Sequence, residues 1–245
     1  LYKKIMKAVV LAGGKGTRLA PYTTVFPKPL VPIGHRPILD IIIRQLSYYG
    51  FRDIVLNVGY LSELIRAYFQ NGINDLENVN LSYQKESKPT GTAGSLCSIP
   101  DLTETFLVMN GDILTTLDYT KLVSYHREKG GILTVGMHKK VHKIDLGVIE
   151  TDSNGFLTSY KEKPETEYKV SMGVYVYEPE VLEYIEPDVY LDFPHLVTRL
   201  LENGEKVVGY PCSDFWLDIG NHEDYVKAQK VFEESKYDFL PKDVF

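Results

Sequence analysis

Short apolar runs alternate with amphipathic stretches through the first half of the chain. Lys7–Ala12 (KAVVLA) is apolar and ends in glycines, which predicts a buried strand opening into a loop. Asp53–Val58 (DIVLNV) and residues 81–86, 105–109 and 132–138 repeat that pattern and predict four more strands. Between them, residues 37–49 carry apolar side chains at helical spacing, with a proline suited to a helix start and Gly50 suited to its end. Residues 62–70, with Ser62 as candidate cap, 92–98 and 118–129 complete the predicted helices. Alternation of this kind predicts an α/β fold with a doubly wound, mostly parallel sheet. Ligands of such sheets bind outside the carboxyl ends of the strands. Three polar, glycine-bearing segments fall there: Gly13 to Arg18, Glu86 to Gly94, and Asn110 to Asp112.

Beyond residue 140 the pattern changes. Residues 148–150 and 157–161 read as short strands joined by the turn signal Asp152-Ser153-Asn154-Gly155. A longer strand is expected over 170–177, helices over 180–185 and 193–203, a strand over 206–211, and a last helix from His222 to about Ser235. No low-complexity linker and no internal repeat divides the chain. A single domain over 1–245 is expected, with the first half at 7–140, a β-rich insertion over the sheet within 141–220, and a helix and tail over 221–245.

Composition narrows the classes. The chain has 245 residues, 44% of them hydrophobic, and a net charge of −6. An acidic chain is a poor general nucleic-acid binder, so no nucleic-acid partner is expected and any anion must be held by a local device. Apolar runs such as Ile38 to Ile43 are far too short for a membrane span, so no membrane partner is expected. The first residues carry lysines without the apolar stretch of a signal peptide. Leu1 is not an initiator, so the native start is Met6 or lies upstream. Two cysteines, Cys97 and Cys212, make no disulfide framework and are expected as buried thiols of a reducing compartment. A cytoplasmic location follows as the expectation.

The segment Gly13-Gly14-Lys15-Gly16-Thr17-Arg18 carries the first chemistry. Glycines let the backbone approach a phosphate and turn its N–H groups toward it. The segment matches neither G-x-x-x-x-G-K-[ST] nor G-x-G-x-x-G, and alone it also fits a plain strand-to-helix turn. Arg18 and Lys28 alter that balance, because arginine grips phosphate oxygens bidentately and lysine supplies a movable charge. Pro21 and Pro27 stiffen the path between them. The six histidines show no metal-ligand spacing and read as surface or helix-flank residues.

The run LAGGKGTRLAPYT followed by FPKPLVPIGHRPI resembles the signature of sugar-1-phosphate nucleotidyltransferases, most nearly the mannose-1-phosphate guanylyltransferases. The resemblance continues through PTGTAG (Pro89 to Gly94), NGD (Asn110 to Asp112), KEKP (Lys161 to Pro164) and FWLDIG (Phe215 to Gly220), in the family's order. It implies a Rossmann-like sheet with an inserted sugar-binding β subregion, residues 7–140 being the nucleotide-binding half and 141–220 the sugar-binding half. It implies that Leu11, Ala12, Gly13, Gly14, Gly16, Thr17, Gly91, Thr92 and Gly111 surround the nucleotide. Arg18, Lys28 and Asp112 would be catalytic, with Arg18 on the departing pyrophosphate. Asp112 and Asp218 would hold Mg2+, and Gly147, Glu162, Lys163 and Ser171 would meet the sugar phosphate. The substrates implied are a nucleoside triphosphate and a sugar 1-phosphate. Relatives are commonly dimers or larger, so a homodimer is one expectation.

In such relatives the residue five before the glycine of GTAG reads the base, and here it is Glu86. A carboxylate matches the adjacent N1–H and exocyclic amino group of guanine better than the lone N3–H of uracil or thymine. GTP is therefore favoured, with UTP, dTTP or CTP as alternatives. Many relatives carry Asn-Ala-Gly where this chain has Ser171-Met172-Gly173. That departure leaves mannose, manno-heptose and glucose 1-phosphates open. A non-catalytic, nucleotide-sugar-binding regulatory subunit is the reading from another class, and the presence of Arg18, Lys28, Asp112 and Asp218 weighs against it. Another alcohol phosphate, such as phosphocholine, as acceptor is weighed against by the KEKP segment and Gly147.

Overall fold

A computed structural model describes residues 6–70, 76, 79–86, 88–242 and 244. Residues 1–5, on which the expectation about the chain's start rests, lie outside them.

Seven strands form the central sheet: β1 (Lys7–Ala12), β2 (Asp53–Val58), β3 (Asn80–Lys85), β4 (Phe106–Asn110), β5 (Leu133–Lys143), β6 (Glu165–Tyr177) and β7 (Val207–Cys212). Their order is β7-β5-β6-β4-β1-β2-β3. β6 runs antiparallel to both of its neighbours, while every other pair is parallel. Parallel strands covered on both faces are largely apolar, as in β1 and β2, whereas the edge strand β3 (NLSYQK) is mostly polar. The period of two divides the apolar side chains between two cores. Ala8, Val10 and Ala12 of β1, with Ile54, Leu56 and Val58 of β2, join the cluster under helices Ile38–Tyr48, Tyr119–Lys129 and His222–Phe239. Val9, Val55 and Val108 point the other way, to the cluster under helix Phe193–Glu202.

β1 and β2 have the bounds that the apolar pattern predicts. The boundary expected at residue 140 falls inside β5, which runs on past the core. From residue 139 to 143 β5 pairs only with 165–169 of β6, and Val148–Thr151 pairs with Leu157–Lys161 beyond it. These strands make an arm projecting from the sheet, most of its residues exposed. Polar alternation over 165–169 hides the first part of β6, because an arm with two wet faces has no apolar stripe to read.

Three local expectations are corrected. Ser62 does not cap its helix: Leu61 is the cap, in the left-handed region with φ 53°, and Ser62 is the first helical residue, its hydroxyl turned to Glu63. The last helix continues to Phe239 across a kink at Ser235, since Phe239 inserts into the core. His126 is not a surface residue: at 1% exposure it bridges Thr134 Oγ1 (2.7 Å) and Glu178 Oε1 (2.9 Å). Both cysteines are free thiols; burial pushes that of Cys212 up to about 11. Among the described residues no helix is long and apolar enough to cross a membrane.

Candidate functional site

β1 ends at Ala12 and the chain enters the glycine loop. Gly13 lies against Gly59 of the loop after β2; a Cβ on Gly59 would come within 2.9 Å of the Gly13 carbonyl oxygen. Gly16 takes the left-handed conformation with φ 63°. Its carbonyl accepts a hydrogen bond from Thr23 Oγ1 (2.7 Å), and a Cβ there would stand 2.9 Å from Lys28 Cβ. The glycine loop is thus folded onto the short turn Lys28–Leu30, and Gly16 is the contact point.

Lys28, nine-tenths buried, forms an ion pair with Asp112 Oδ2. The other oxygen, Asp112 Oδ1, is buried without a partner. Asp112 follows β4, and Gly111 fixes that turn by donating to Leu11 O (2.9 Å). Asp218 arrives from far along the chain through a short strand, Trp216–Asp218, antiparallel to Ile113–Thr115 with Asp218 opposite Ile113. Ile219 N donates to Asp112 O (3.0 Å), which locks the two aspartates together. Burial and then the charge of Asp112 hold the Asp218 carboxyl above its ordinary value, while Lys28 and Arg18 pull it back. Arg18 is exposed, and its guanidinium crosses Gly220, where a Cβ would be 3.3 Å from Nη1. Two carboxylates and two cations therefore converge at one mouth. Among the described residues no three His, Cys, Asp or Glu side chains gather into a self-sufficient metal cluster.

A cleft of about 350 Å³ opens beside this group. Leu11, Ala12, Gly13, Gly14 and Gly111 line it on the β1 side, with Lys28 and Asp112 at one end. Glu86, Gly91 and Thr92 line its far side. Gly16, Thr17, Arg18 and Asp218 are not part of its wall. Gly91 has φ 83°, and a Cβ there would lie 2.5 Å from Leu191 O. The segment Tyr190 to Asp192 straps across that turn. Leu191 O accepts from Ala93 N and Gly94 N, and Asp192 Oδ1 accepts from Thr92 N (3.2 Å). The Tyr190 hydroxyl donates to Asp192 Oδ2 (2.6 Å) and holds its carboxyl below the ordinary value.

Glu86 is anchored through both oxygens. Oε1 accepts from Asn57 Nδ2 (3.2 Å) and Oε2 from Thr90 N (3.1 Å). The sequence reading missed Asn57, Ser95, Tyr190 and Asp192, all of which line the cleft. Asn57 had a signal, as the one uncharged polar side chain in the run DIVLNV. Tyr190 and Asp192 had none, because only the long-range fold brings them there.

The residues expected at the sugar phosphate sit apart from the cleft. Gly147, Glu162 and Lys163 are on the arm, and Tyr160 lies over Gly147, where a Cβ would be 2.3 Å from the Tyr160 oxygen. The same hydroxyl donates to Glu162 Oε2 (2.9 Å). A side chain at Gly147 would displace the exposed Tyr160 ring from this position. Ser171 marks the register break in β6 and donates to Tyr175 Oη (3.2 Å). Met172 is turned into the core at 1% exposure, and its carbonyl accepts from Trp216 Nε1 (2.8 Å).

The doubly wound sheet makes this an α/β protein whose glycine loop, lysine–aspartate pair and second aspartate form one candidate anion site. The comparisons sharpen that class: the profile of the nucleotidyl transferase family matches residues 7–235, and the chain belongs to that family. It is similar to a UTP–glucose-1-phosphate uridylyltransferase of Synechocystis sp., with 35% identity over 91% of this chain and 62% of that protein. It is also similar to the mannose-1-phosphate guanylyltransferase catalytic subunit beta of Dictyostelium discoideum, with 30% identity over 94% of this chain and 65% of that protein. The chain thus spans less than two thirds of the length of these curated relatives. Among solved structures, HddC from Yersinia pseudotuberculosis superposes with a TM-score of 0.70 at 25% identity, covering 93% of this chain and 99% of that one.

Proposed function

We propose that this chain transfers a nucleotidyl group from a nucleoside triphosphate, GTP by preference, to a sugar 1-phosphate of the mannose or manno-heptose type. The observation that carries the reading is the meeting of Lys28, Asp112, Asp218 and Arg18 at the mouth of a glycine-walled cleft. A phosphate oxygen of the sugar 1-phosphate attacks the α-phosphorus, the bond from that phosphorus to the β-phosphate oxygen breaks, and pyrophosphate leaves. The nucleophile needs no base, since a phosphate monoester has a second pKa of about 6 and is mostly dianionic at pH 7. Lys28 neutralises charge near the reacting phosphorus, and Arg18 meets the departing pyrophosphate from the outer side. Asp112 and Asp218 suit Mg2+, which takes few carboxylates and completes its shell with phosphate oxygens and water. The unpartnered Asp112 Oδ1 and the raised Asp218 carboxyl fit a cation that would offset both penalties. When bound, the ion neutralises phosphate charge in the transition state.

Glu86 supports GTP, because its anchored carboxylate offers acceptors to the two adjacent donors of guanine. The relatives named above divide between UTP and GTP, so base choice rests on this chain's own residues. Exposure of Glu162 and Lys163 on the arm fits a sugar-phosphate surface. Pyrophosphate release should be measured with Mg2+, with and without chelator, for four nucleoside triphosphates against several sugar 1-phosphates. One chelator-sensitive pair with GTP is expected. No release from any pair overturns the activity. For base choice, Glu86→Gln should cut GTP use about tenfold or more, and unchanged selectivity would remove Glu86 from the reading.

A further inference from the structure

Two polar atoms in the wall of the cleft, Asn57 Oδ1 and Ser95 Oγ, are buried without partners. Their residues are 2% and 1% exposed. An unmet buried polar group is costly, and native proteins keep few of them unless a ligand or water completes the bond. Asn57 stands next to Glu86, to which its amide nitrogen is bonded, and Ser95 lines the same cleft.

Chemistry fixes which way the Asn57 amide faces. Its nitrogen meets Glu86 Oε1 at 3.2 Å, and an ionised carboxylate can only accept. A flipped amide would set oxygen against oxygen. The remaining oxygen of Asn57 is thus an acceptor with nothing to accept. Glu86 Oε1 receives only the Asn57 donor and keeps a lone pair, whereas Oε2 already accepts from Thr90 N (3.1 Å) and Thr90 Oγ1 (3.4 Å). Two acceptors therefore remain open beside each other, Glu86 Oε1 and Asn57 Oδ1, with the Ser95 hydroxyl able to donate.

Among the nucleobases, guanine alone carries a ring N–H directly beside an exocyclic amino group. We propose that Asn57 and Ser95 complete a guanine-reading edge with Glu86. Asn57 Oδ1 accepts an amino hydrogen while its nitrogen holds Glu86 in place, and the Ser95 hydroxyl donates to a ring acceptor. The inference rests on the GTP reading given above and deepens it by assigning the residues that reject other bases.

Inosine triphosphate tests it, because hypoxanthine is guanine without the amino group. The wild-type chain should use GTP over ITP by at least tenfold in kcat/KM. Asn57→Leu keeps the volume and removes the acceptor, so the GTP/ITP ratio should fall to about two or less. Ser95→Ala should lower kcat/KM for GTP and ITP alike, about fivefold, and leave their ratio unchanged. An unchanged ratio in Asn57→Leu overturns the role of Asn57, and full activity in Ser95→Ala reduces that hydroxyl to a partner of buried water. Should Asn57→Leu fail to fold, equal use of GTP and ITP by the wild type overturns the inference by itself. Preference for UTP with no GTP turnover would sink the GTP reading as well, whereas GTP preference without ITP discrimination sinks this inference alone.

Discussion

Gly16→Ala should separate two costs that usually arrive together. Gly16 has φ 63°, a conformation that costs an L-residue about 1–2 kcal/mol. The new Cβ would also stand 2.9 Å from Lys28 Cβ and 3.1 Å from Thr23 Cγ2. Neither neighbour yields easily: Thr23 is tied to the Gly16 carbonyl, and Lys28 is buried against Asp112. Overpacking of this kind costs about 1–3 kcal/mol, which brings the total to about 2–5 kcal/mol. At about 2–4 °C per kcal/mol for a chain of this size, Tm should fall on the order of 10 °C. Gly50→Ala is the control, with φ 90° and open space where a Cβ would go. It bears the backbone cost alone and should lose only about 2–8 °C. Thermal unfolding of both variants, with pyrophosphate release beside it, gives the answer. Gly16→Ala should also lose turnover, because the methyl group pushes Lys28 off its aspartate. The reasoning fails if the two variants melt together and both keep wild-type turnover.

Lys28→Met keeps the buried stem and removes the charge, and it should lower kcat about 100-fold or more in the pyrophosphate assay; a loss under fivefold would put Lys28 outside the chemistry. Asp192 tests the strap through pH. Its folded carboxyl lies below the ordinary value of 3.8, so its stabilisation is present above that pH and is lost as pH falls through the lower folded value. Denaturant unfolding should find Asp192→Asn weaker than wild type at pH 7, with the gap narrowing as pH is lowered below 3.8, and a gap that does not narrow would contradict the assignment.

Much of the fold was legible because a parallel sheet buried on both faces writes itself as short apolar runs, as in Lys7–Ala12 and Asp53–Val58. The glycine loop and Asp112 were legible for a related reason, since they follow strands at the ends where ligands of such sheets bind, and Lys28, on its own short turn, was legible only as a cation beyond that loop. The arm was only partly legible, because residues 165–169 have no buried face to impose a pattern. Asp218 could be joined to Asp112 only through the family resemblance. What joins them physically is the pairing of Trp216–Asp218 with Ile113–Thr115, two short segments with no local signal for each other. Tyr190 and Asp192 stayed hidden for the same reason. His126 was misread because its helix is polar overall, and burial there depends on Thr134 and Glu178.

The arm has a consequence for how such a chain can diverge. Among the described residues, neither core cluster includes a side chain between residues 138 and 171. Substitutions there disturb no packed layer, whereas a change at Asn57 or Ser95 acts inside the body that keeps the protein folded. The acceptor recognition proposed for the arm is therefore free to drift through many neutral steps. A change of nucleobase would have to be compensated within the folded core at each step.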